Sequence, residues 1–170
     1  PKNFSDEYKG PLSLQAALAA SVNTVPVKLT QRLGATTVAR TARRLGITAP
    51  LPEDASLALG TGDVSLLELT GVYATFANRG RGVWPHAITE IRTRAGDVRY
   101  QRRGSGAGQV VKPGDAARIT GMLRQALETG TGKAARFGHP AAGKTGTSQN
   151  FRDAVFVGFT GHLFTGVWFG

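Results

Sequence analysis

Apolar residues recur with helical spacing in five segments of the chain. In the clearest of these, residues 65–80, four apolar side chains repeat at i, i+3, i+4 and i+7: Leu69, Val72, Tyr73 and Phe76. Ser65 stands three residues before Glu68, which is the spacing of a capping box at the start of a helix. Shorter patterns predict four further helices, over residues 11–21, 24–33, 36–45 and 113–130.

Apolar runs bounded by turn residues predict strands, mostly in the second half of the chain. Residues 86–93 and 98–101 flank Ala95-Gly96-Asp97 and predict a hairpin. Three more candidates close the chain, at residues 141–148, 154–160 and 163–169. Residues 47–63 contain prolines and spaced glycines, so a loop is predicted there. Because helices come first and strands last, we predict an α+β fold with helices packed on an antiparallel sheet.

Composition limits the classes of function. With 170 residues and 41% hydrophobic content, the chain can bury the core of about one domain. It has no cysteine, which excludes disulfides and thiolate metal sites. The net charge of +10 favours anionic partners, but no aromatic stacking residues lie among the arginines, so we predict a solvated basic face and no nucleic-acid binding. The three histidines lack metal-ligand spacing, and we predict neither a metal nor a cofactor.

The stretch GHPAAGKT, residues 138–145, fits two unrelated patterns. It matches the phosphate-binding P-loop, which needs a buried strand before it and a helix after it. A glycine-rich loop precedes it and Gly146 follows it, so both flanks disagree with a P-loop. As part of a strand, the same residues place an ammonium, Lys144, beside the hydroxyls of Thr145 and Thr147. Such a strand edge can hold a carboxylate and pair with an extended peptide, and Gly146 lets another backbone come close.

A strand of this kind needs a partner motif, and Ser-x-Asn occurs twice. Ser148-Gln-Asn150 directly follows the strand and is interpreted as chance. Ser21-Val-Asn23 lies between two predicted helices, where two polar side chains can face a cleft. Helix capping is the alternative explanation of Ser21 and Asn23, and the residues alone favour it. The segment Gly130-Thr131-Gly132 equally either borders the cleft or forms only a loop.

Taken together, these stretches resemble the transpeptidase domain of penicillin-binding proteins, most closely the bifunctional class A enzymes. The resemblance rests on KNFSDEYKGPLSLQAALAASVNTVPVKLTQRLG, LALGTGDVSLLELTGVYATFANRG, ETGTGKAA and AAGKTGTSQNFRDAVFVGFTGHLFTGVWFG, in that order. The family has three motifs, SxxK, SxN and KTG, and the last two occur here. No lysine of the chain follows a serine or threonine by three positions.

The resemblance therefore implies that residues 1–170 are the C-terminal part of a transpeptidase domain. The SxxK nucleophile is expected upstream of Pro1, and any glycosyltransferase domain and membrane anchor outside the chain. Loss of the SxxK helix is expected to expose apolar faces, among them parts of Leu14, Leu18, Leu69, Val72 and Phe76. We expect either closure of the helices on the sheet or self-association of the fragment.

The resemblance also implies serine acyl-enzyme chemistry on the D-Ala-D-Ala end of peptidoglycan stem peptides, with β-lactams as further ligands. Ser21, Asn23 and Lys144 are the implied catalytic residues, and Thr145, Gly146 and Thr147 the implied substrate-binding residues. An extracytoplasmic location follows from the substrate. The fragment alone is expected to be inactive. A pseudo-enzyme, a binding module or a serine β-lactamase relative are the alternatives, and the separation of 123 residues between Ser21 and Lys144 favours the transpeptidase.

Overall fold

The structure, a computed structural model, describes Asn3, Tyr8 and residues 10–104, 106–148 and 152–170. The described helices are α1 (Leu14–Ala19), α2 (Thr24–Leu33), α3 (Ala35–Arg44), α4 (Leu66–Ala77) and α5 (Pro113–Glu128), with short 3-10 helices at Ala55–Leu59 and Lys133–Ala135. The strands are β1 (Glu90–Arg92), β2 (Val98–Gln101), β3 (Ala142–Thr147), β4 (Ala154–Phe159) and β5 (Phe164–Phe169).

The predicted helices are confirmed, and their ends follow local chemistry. At α4 the capping box forms, because Ser65 Oγ accepts from the backbone N–H of Glu68 while the Glu68 carboxylate accepts from the Ser65 N–H. At α1 Ser13 Oγ accepts from Ala16 N at 3.2 Å. The loop predicted over residues 47–63 is wrong in part. Ala55–Leu59 forms a 3-10 helix, because the Asp54 carboxylate caps its first turn through Ser56 N.

Two antiparallel sheets form, and they are separate. Strands β1 and β2 make the predicted hairpin, while β3, β4 and β5 make a three-stranded sheet in that order. Helix α5 packs on β3, and α4 packs on β4 and β5. The core between them contains Leu123, Ala142 and Phe159, with Tyr73 and Phe76 packed against it. The α+β prediction with an antiparallel sheet is therefore confirmed.

Helix α1 packs on α5 and leaves an open cleft beside β3. The cleft has a volume of about 670 Å³. Leu14 lines it and is 53% exposed, as expected, but the expectation for Val72 was wrong, since Val72 is only 9% exposed. Val72 is one of the buried residues of α4, a helix that packs on α5, β4 and β5. The helices have not closed over the cleft, and self-association stays a prediction.

Among the described residues, no helix combines the length and apolarity needed to cross a bilayer.

Close packing of α4 on β5 depends on the absence of a side chain at Gly166. A Cβ placed there would overlap Thr70 Oγ1 and lie 3.0 Å from Leu66 Cδ1. Thr70 cannot turn away without cost, because its hydroxyl donates to Leu66 O at 2.7 Å. The helix therefore rests directly on the backbone of the edge strand.

We predict that Gly166→Ala lowers the free energy of unfolding by about 1–3 kcal/mol, because the added methyl forces α4 away from the sheet. Urea denaturation measures this loss. The matched control is Gly161→Ala in the β4–β5 turn, where a Cβ meets nothing within 4 Å. Equal stability of the two variants would show that α4 does not press on β5.

Candidate active site

Lys144 and Ser21 meet although they are 123 positions apart in the chain. Lys144 lies within β3, and its ammonium donates to Ser21 Oγ. It also donates to the carbonyl oxygen of Thr145 at 2.9 Å and to Thr131 Oγ1 at 3.4 Å. A lysine ammonium has three N–H donors, so each of them has an acceptor. The cleft therefore brings together the two residues that the sequence singled out from different motifs.

Ser21 occupies the turn that ends α1. The N–H of Val22 donates to Ala17 O at 3.0 Å, and the N–H of Ser21 donates to Leu18 O at 3.1 Å. This is the hydrogen-bond pattern of a Schellman motif, with Ser21 at the position usually held by glycine. Ser21 accordingly has φ +53°, in the left-handed region. The sequence retains a β-carbon at a position where the backbone disfavours it, and the hydroxyl on that carbon contacts Lys144.

Asn23 occupies the N-cap position before α2, but its side chain makes no capping hydrogen bond to that helix. The capping acceptor comes from Asn3, whose Oδ1 accepts from Asn23 N at 3.1 Å and from Thr24 N at 3.3 Å. The capping explanation of Asn23 is therefore wrong, since a residue 20 positions earlier performs that task. No local signal in the sequence could have identified Asn3, because its contacts join residues 20 and 21 positions apart.

Thr131 lies in the cleft, which decides between the two interpretations of residues 130–132. Its hydroxyl is 2.8 Å from Thr145 Oγ1, and its N–H donates to Ala19 O at 3.1 Å. The segment is packed against the end of α1 so closely that a Cβ on Gly130 would overlap Ala19 O. From the sequence alone, this segment either bordered the cleft or formed only a loop, and no role was predicted for Thr131.

Side chains of both motifs line the same cleft. Ser21, Asn23, Lys144, Thr145, Gly146 and Thr147 are all on its wall. The same cleft is also lined by apolar side chains, of which the larger are Leu14, Leu18, Val25, Leu29, Leu59, Ile119 and Met122. In the described part of the chain, β3 pairs with β4 on one edge only. Its other edge can therefore pair with an extended peptide.

Burial lowers the pKa of Lys144, because removing water disfavours its charged form. The Lys144 side chain is nevertheless surrounded by hydroxyl and carbonyl oxygens, which accept from the ammonium. The sign of this shift means that Lys144 loses its proton at a lower pH than an exposed lysine does. A lysine of this kind can take part in proton transfer as well as supply positive potential.

The remaining candidates have structural tasks. Asp153, next to β4, links the residue after β3 to β5, because it exchanges hydrogen bonds with Ser148 and accepts from Trp168 Nε1 at 3.0 Å. The interpretation of Ser148-Gln-Asn150 as chance stays a prediction, because Gln149 and Asn150 lie outside the described residues. Lys144 and Thr145 are strand residues, so they do not start a helix as a P-loop requires.

Nowhere in the described ranges do three or more His, Asp or Glu side chains lie close enough together to hold a metal ion.

The amino-acid sequence of this chain is similar to those of known proteins. A family model described as the penicillin binding protein transpeptidase domain matches residues 2–166. Penicillin-binding protein 1A from Neisseria meningitidis is 36% identical over 177 residues, which is 100% of this chain and 22% of that protein. The chain thus spans about a fifth of the length of this curated relative.

Solved structures agree on the fold. Penicillin-binding protein 1A from Haemophilus influenzae has a TM-score of 0.88 to this chain at 24% identity, covering 99% of this chain and 31% of that one. Penicillin-binding protein A from M. tuberculosis, solved as an imipenem acyl-enzyme complex, has a TM-score of 0.82 at 24% identity, covering 99% and 44%. The open cleft beside β3 therefore occurs within the arrangement of helices and strands that these proteins share.

The left-handed backbone of Ser21 leads to a prediction about stability. Ser21→Gly and Ser21→Ala both remove the hydroxyl, but only glycine relieves the left-handed conformation, which costs a residue with a β-carbon about 1–2 kcal/mol. We predict that Ser21→Gly is more stable than Ser21→Ala by about 1 kcal/mol in urea denaturation.

The neighbouring Ala20, with φ −84°, provides the control. There, Ala20→Gly should lower stability by about 0.5–1 kcal/mol, because no strain is relieved and the unfolded chain gains freedom. If Ser21→Ala proves as stable as Ser21→Gly, the turn is not strained and the interpretation is wrong.

Proposed function

The chain belongs to the family of penicillin-binding protein transpeptidase domains, and from this premise we propose that it carries the Ser-x-Asn and Lys-Thr-Gly part of the active site of a peptidoglycan D-Ala-D-Ala transpeptidase. The observation that carries the proposal is the contact between Lys144 Nζ and Ser21 Oγ at the edge of the open cleft. The nucleophilic serine of an SxxK motif is proposed to come from residues outside the 170, since the chain contains no such motif.

The proposed reaction is acyl transfer in two steps. The nucleophilic serine attacks the carbonyl between two D-alanines, its hydroxyl proton leaves, and a C–N bond breaks as a serine ester forms. The departing D-alanine takes up a proton at its amine. The amine of a neighbouring stem peptide then attacks the ester, and an amide forms as the acyl C–O bond to serine breaks. The amine loses a proton, and the serine oxygen takes one up. Water in place of that amine gives carboxypeptidase action. Covalent catalysis of this kind divides one difficult step into two easier ones.

Ser21 is the proposed proton donor to the departing amine. Its hydroxyl is exposed in the cleft and contacts Lys144, so a proton given to the amine can be replaced from the ammonium. The burial that lowers the pKa of Lys144 makes this proton easier to release than that of a surface lysine. Asn23, on the same wall, is the proposed donor to the amide carbonyl of the substrate.

Thr145 and Thr147 are the proposed binding groups for the terminal carboxylate, since both line the cleft beside Lys144. Gly146 between them leaves room for a substrate backbone along the open edge of β3. The backbone N–H of Thr147 is the proposed oxyanion donor within this chain. One such donor contributes about 3–4 kcal/mol to the stabilisation of a transition state. The apolar side chains that line the same cleft are then available for the uncharged part of the ligand.

The partners follow from the chemistry. Peptidoglycan stem peptides are the proposed substrates, and β-lactams, which resemble D-Ala-D-Ala, are the proposed covalent inhibitors. Peptidoglycan cross-links form outside the cytoplasmic membrane, so we propose an extracytoplasmic location. The net charge of +10 gives the chain a favourable long-range attraction to carboxylate-bearing stem peptides, which salt screens beyond about 8 Å.

The location of the nucleophile can be tested directly. The isolated 170-residue chain should form no covalent adduct with labelled penicillin, while the whole product of the gene should form one adduct per molecule. Intact-protein mass spectrometry distinguishes the two. An adduct on the isolated chain would place the nucleophile among the 170 residues, and an unmodified gene product would remove the proposed function.

The contribution of Lys144 can be tested in the whole gene product. We predict that Lys144→Ala slows acylation by labelled penicillin about 10²-fold, because the proton relay through Ser21 loses its partner. Lys112→Ala is the matched control, since Lys112 lies at the start of α5 and outside the cleft lining. Equal acylation rates for Lys144→Ala and the unsubstituted protein would contradict the assigned role.

A further inference from the structure

We propose that Thr131 is a positioning residue that directs the hydroxyl hydrogen of Thr145 toward a bound anion and so makes the site selective for a carboxylate. This inference rests on the proposed function, because it concerns the ligand of the same cleft. Thr131 comes from neither motif: it lies in the segment between α5 and β3, 14 positions before Thr145. Two hydroxyls and one ammonium meet there.

The backbone around Thr131 is held against the ends of α1 and α5, which fixes the position from which its side chain starts. The N–H of Thr131 donates to Ala19 O at 3.1 Å, next to the turn that carries Ser21. The N–H of Gly132 donates to Ala126 O at 3.1 Å, at the end of α5. Gly130 lies against Ala19 O without room for a β-carbon. A segment with these contacts is part of the wall of the cleft, and it connects the Ser21 turn to β3.

The hydroxyl of Thr131 bridges Lys144 and Thr145. Lys144 Nζ donates to Thr131 Oγ1 at 3.4 Å, and an ammonium can only donate. Thr131 Oγ1 and Thr145 Oγ1 are 2.8 Å apart, which is hydrogen-bond distance for two hydroxyls, and either oxygen can be the donor. The free site therefore permits two directions for this bond.

A bound carboxylate removes that freedom. An ionised carboxylate only accepts hydrogen bonds, so Thr145 must give its single hydrogen to the ligand. The oxygen of Thr145 is then left as an acceptor, and Thr131 is the donor beside it. The chain runs in one direction: from the Lys144 ammonium to Thr131, from Thr131 to Thr145, and from Thr145 to the carboxylate. Each bond in such a chain polarises the next, so the ammonium strengthens the bond to the anion.

A neutral ligand gains less from the same chain. Hydrogen bonds to an ionised group are roughly twice as strong as neutral ones, and the polarisation from Lys144 adds to that difference. Removing the hydroxyl of Thr131 should therefore weaken binding of an anion more than binding of its neutral ester. A purely structural role for Thr131 would affect both ligands equally, which makes the comparison of the two ligands the decisive measurement.

The experiment measures second-order acylation rates in the whole gene product, with benzylpenicillin and its methyl ester each competing against a fluorescent penicillin. Thr131→Val keeps the shape of the side chain and removes the hydroxyl. We expect it to slow acylation by the carboxylate about tenfold and by the ester less than about threefold. Thr131→Ser should restore the rate with the carboxylate, since it restores the hydroxyl. Thr131→Ala serves as a second hydroxyl-free variant, should valine disturb folding.

Thr129→Val is the matched control, because the Thr129 hydroxyl bonds Gln125 on α5. Its rates should equal those of the unsubstituted protein. An equal loss with both ligands, or no rescue by serine, would overturn the role of Thr131 while leaving the proposed function intact. Absence of acylation in the unsubstituted gene product would instead remove the proposed function, and with it the inference. The two failures are thus distinguishable.

Discussion

The structure depends on one constraint: the ammonium of Lys144, on a strand near the C-terminal end, must reach a hydroxyl near the N-terminal end. Helix α5 makes this meeting possible, because it packs on β3 with one side and on α1 with another. Its fully buried alanines, Ala116 and Ala126, let neighbouring elements approach the α5 backbone closely.

The contact between Lys144 and Ser21 explains why this turn contains a serine, although glycine would make it more stable. A glycine would suit its left-handed backbone, yet glycine carries no hydroxyl. The cost of about 1–2 kcal/mol is a noticeable part of the 5–15 kcal/mol that typically separates a folded domain from its unfolded state. Strain of this size persists where neighbouring contacts hold the backbone in place. Here the segment of Thr131 does so, through its bond to Ala19 O.

Local signals in the sequence were enough to predict most helices and strands. They were not enough to predict which distant residues meet in the candidate site. The capping box of Ser65 and the apolar repeat after it predicted α4 within one residue at its start, because both signals are local. The 3-10 helix at Ala55–Leu59 was missed, since its cap at Asp54 lies among prolines and glycines that indicate a loop. The role of Asn3 and the position of Thr131 depend on contacts between distant segments, which periodicity cannot reveal.

The two patterns that share Lys144 show why the supporting element decides the chemistry of a motif. In a P-loop, the lysine stands at the start of a helix, where converging backbone N–H groups suit the several oxygens of a phosphate. In this chain Lys144 stands on an edge strand, where backbone groups point sideways along the open edge and suit a peptide. The ammonium is half-buried in the wall of the cleft and donates to Ser21, Thr131 and the Thr145 carbonyl. In the proposed function its charge acts on the ligand through hydroxyls, and the proposed ligand is a planar carboxylate held by two threonines.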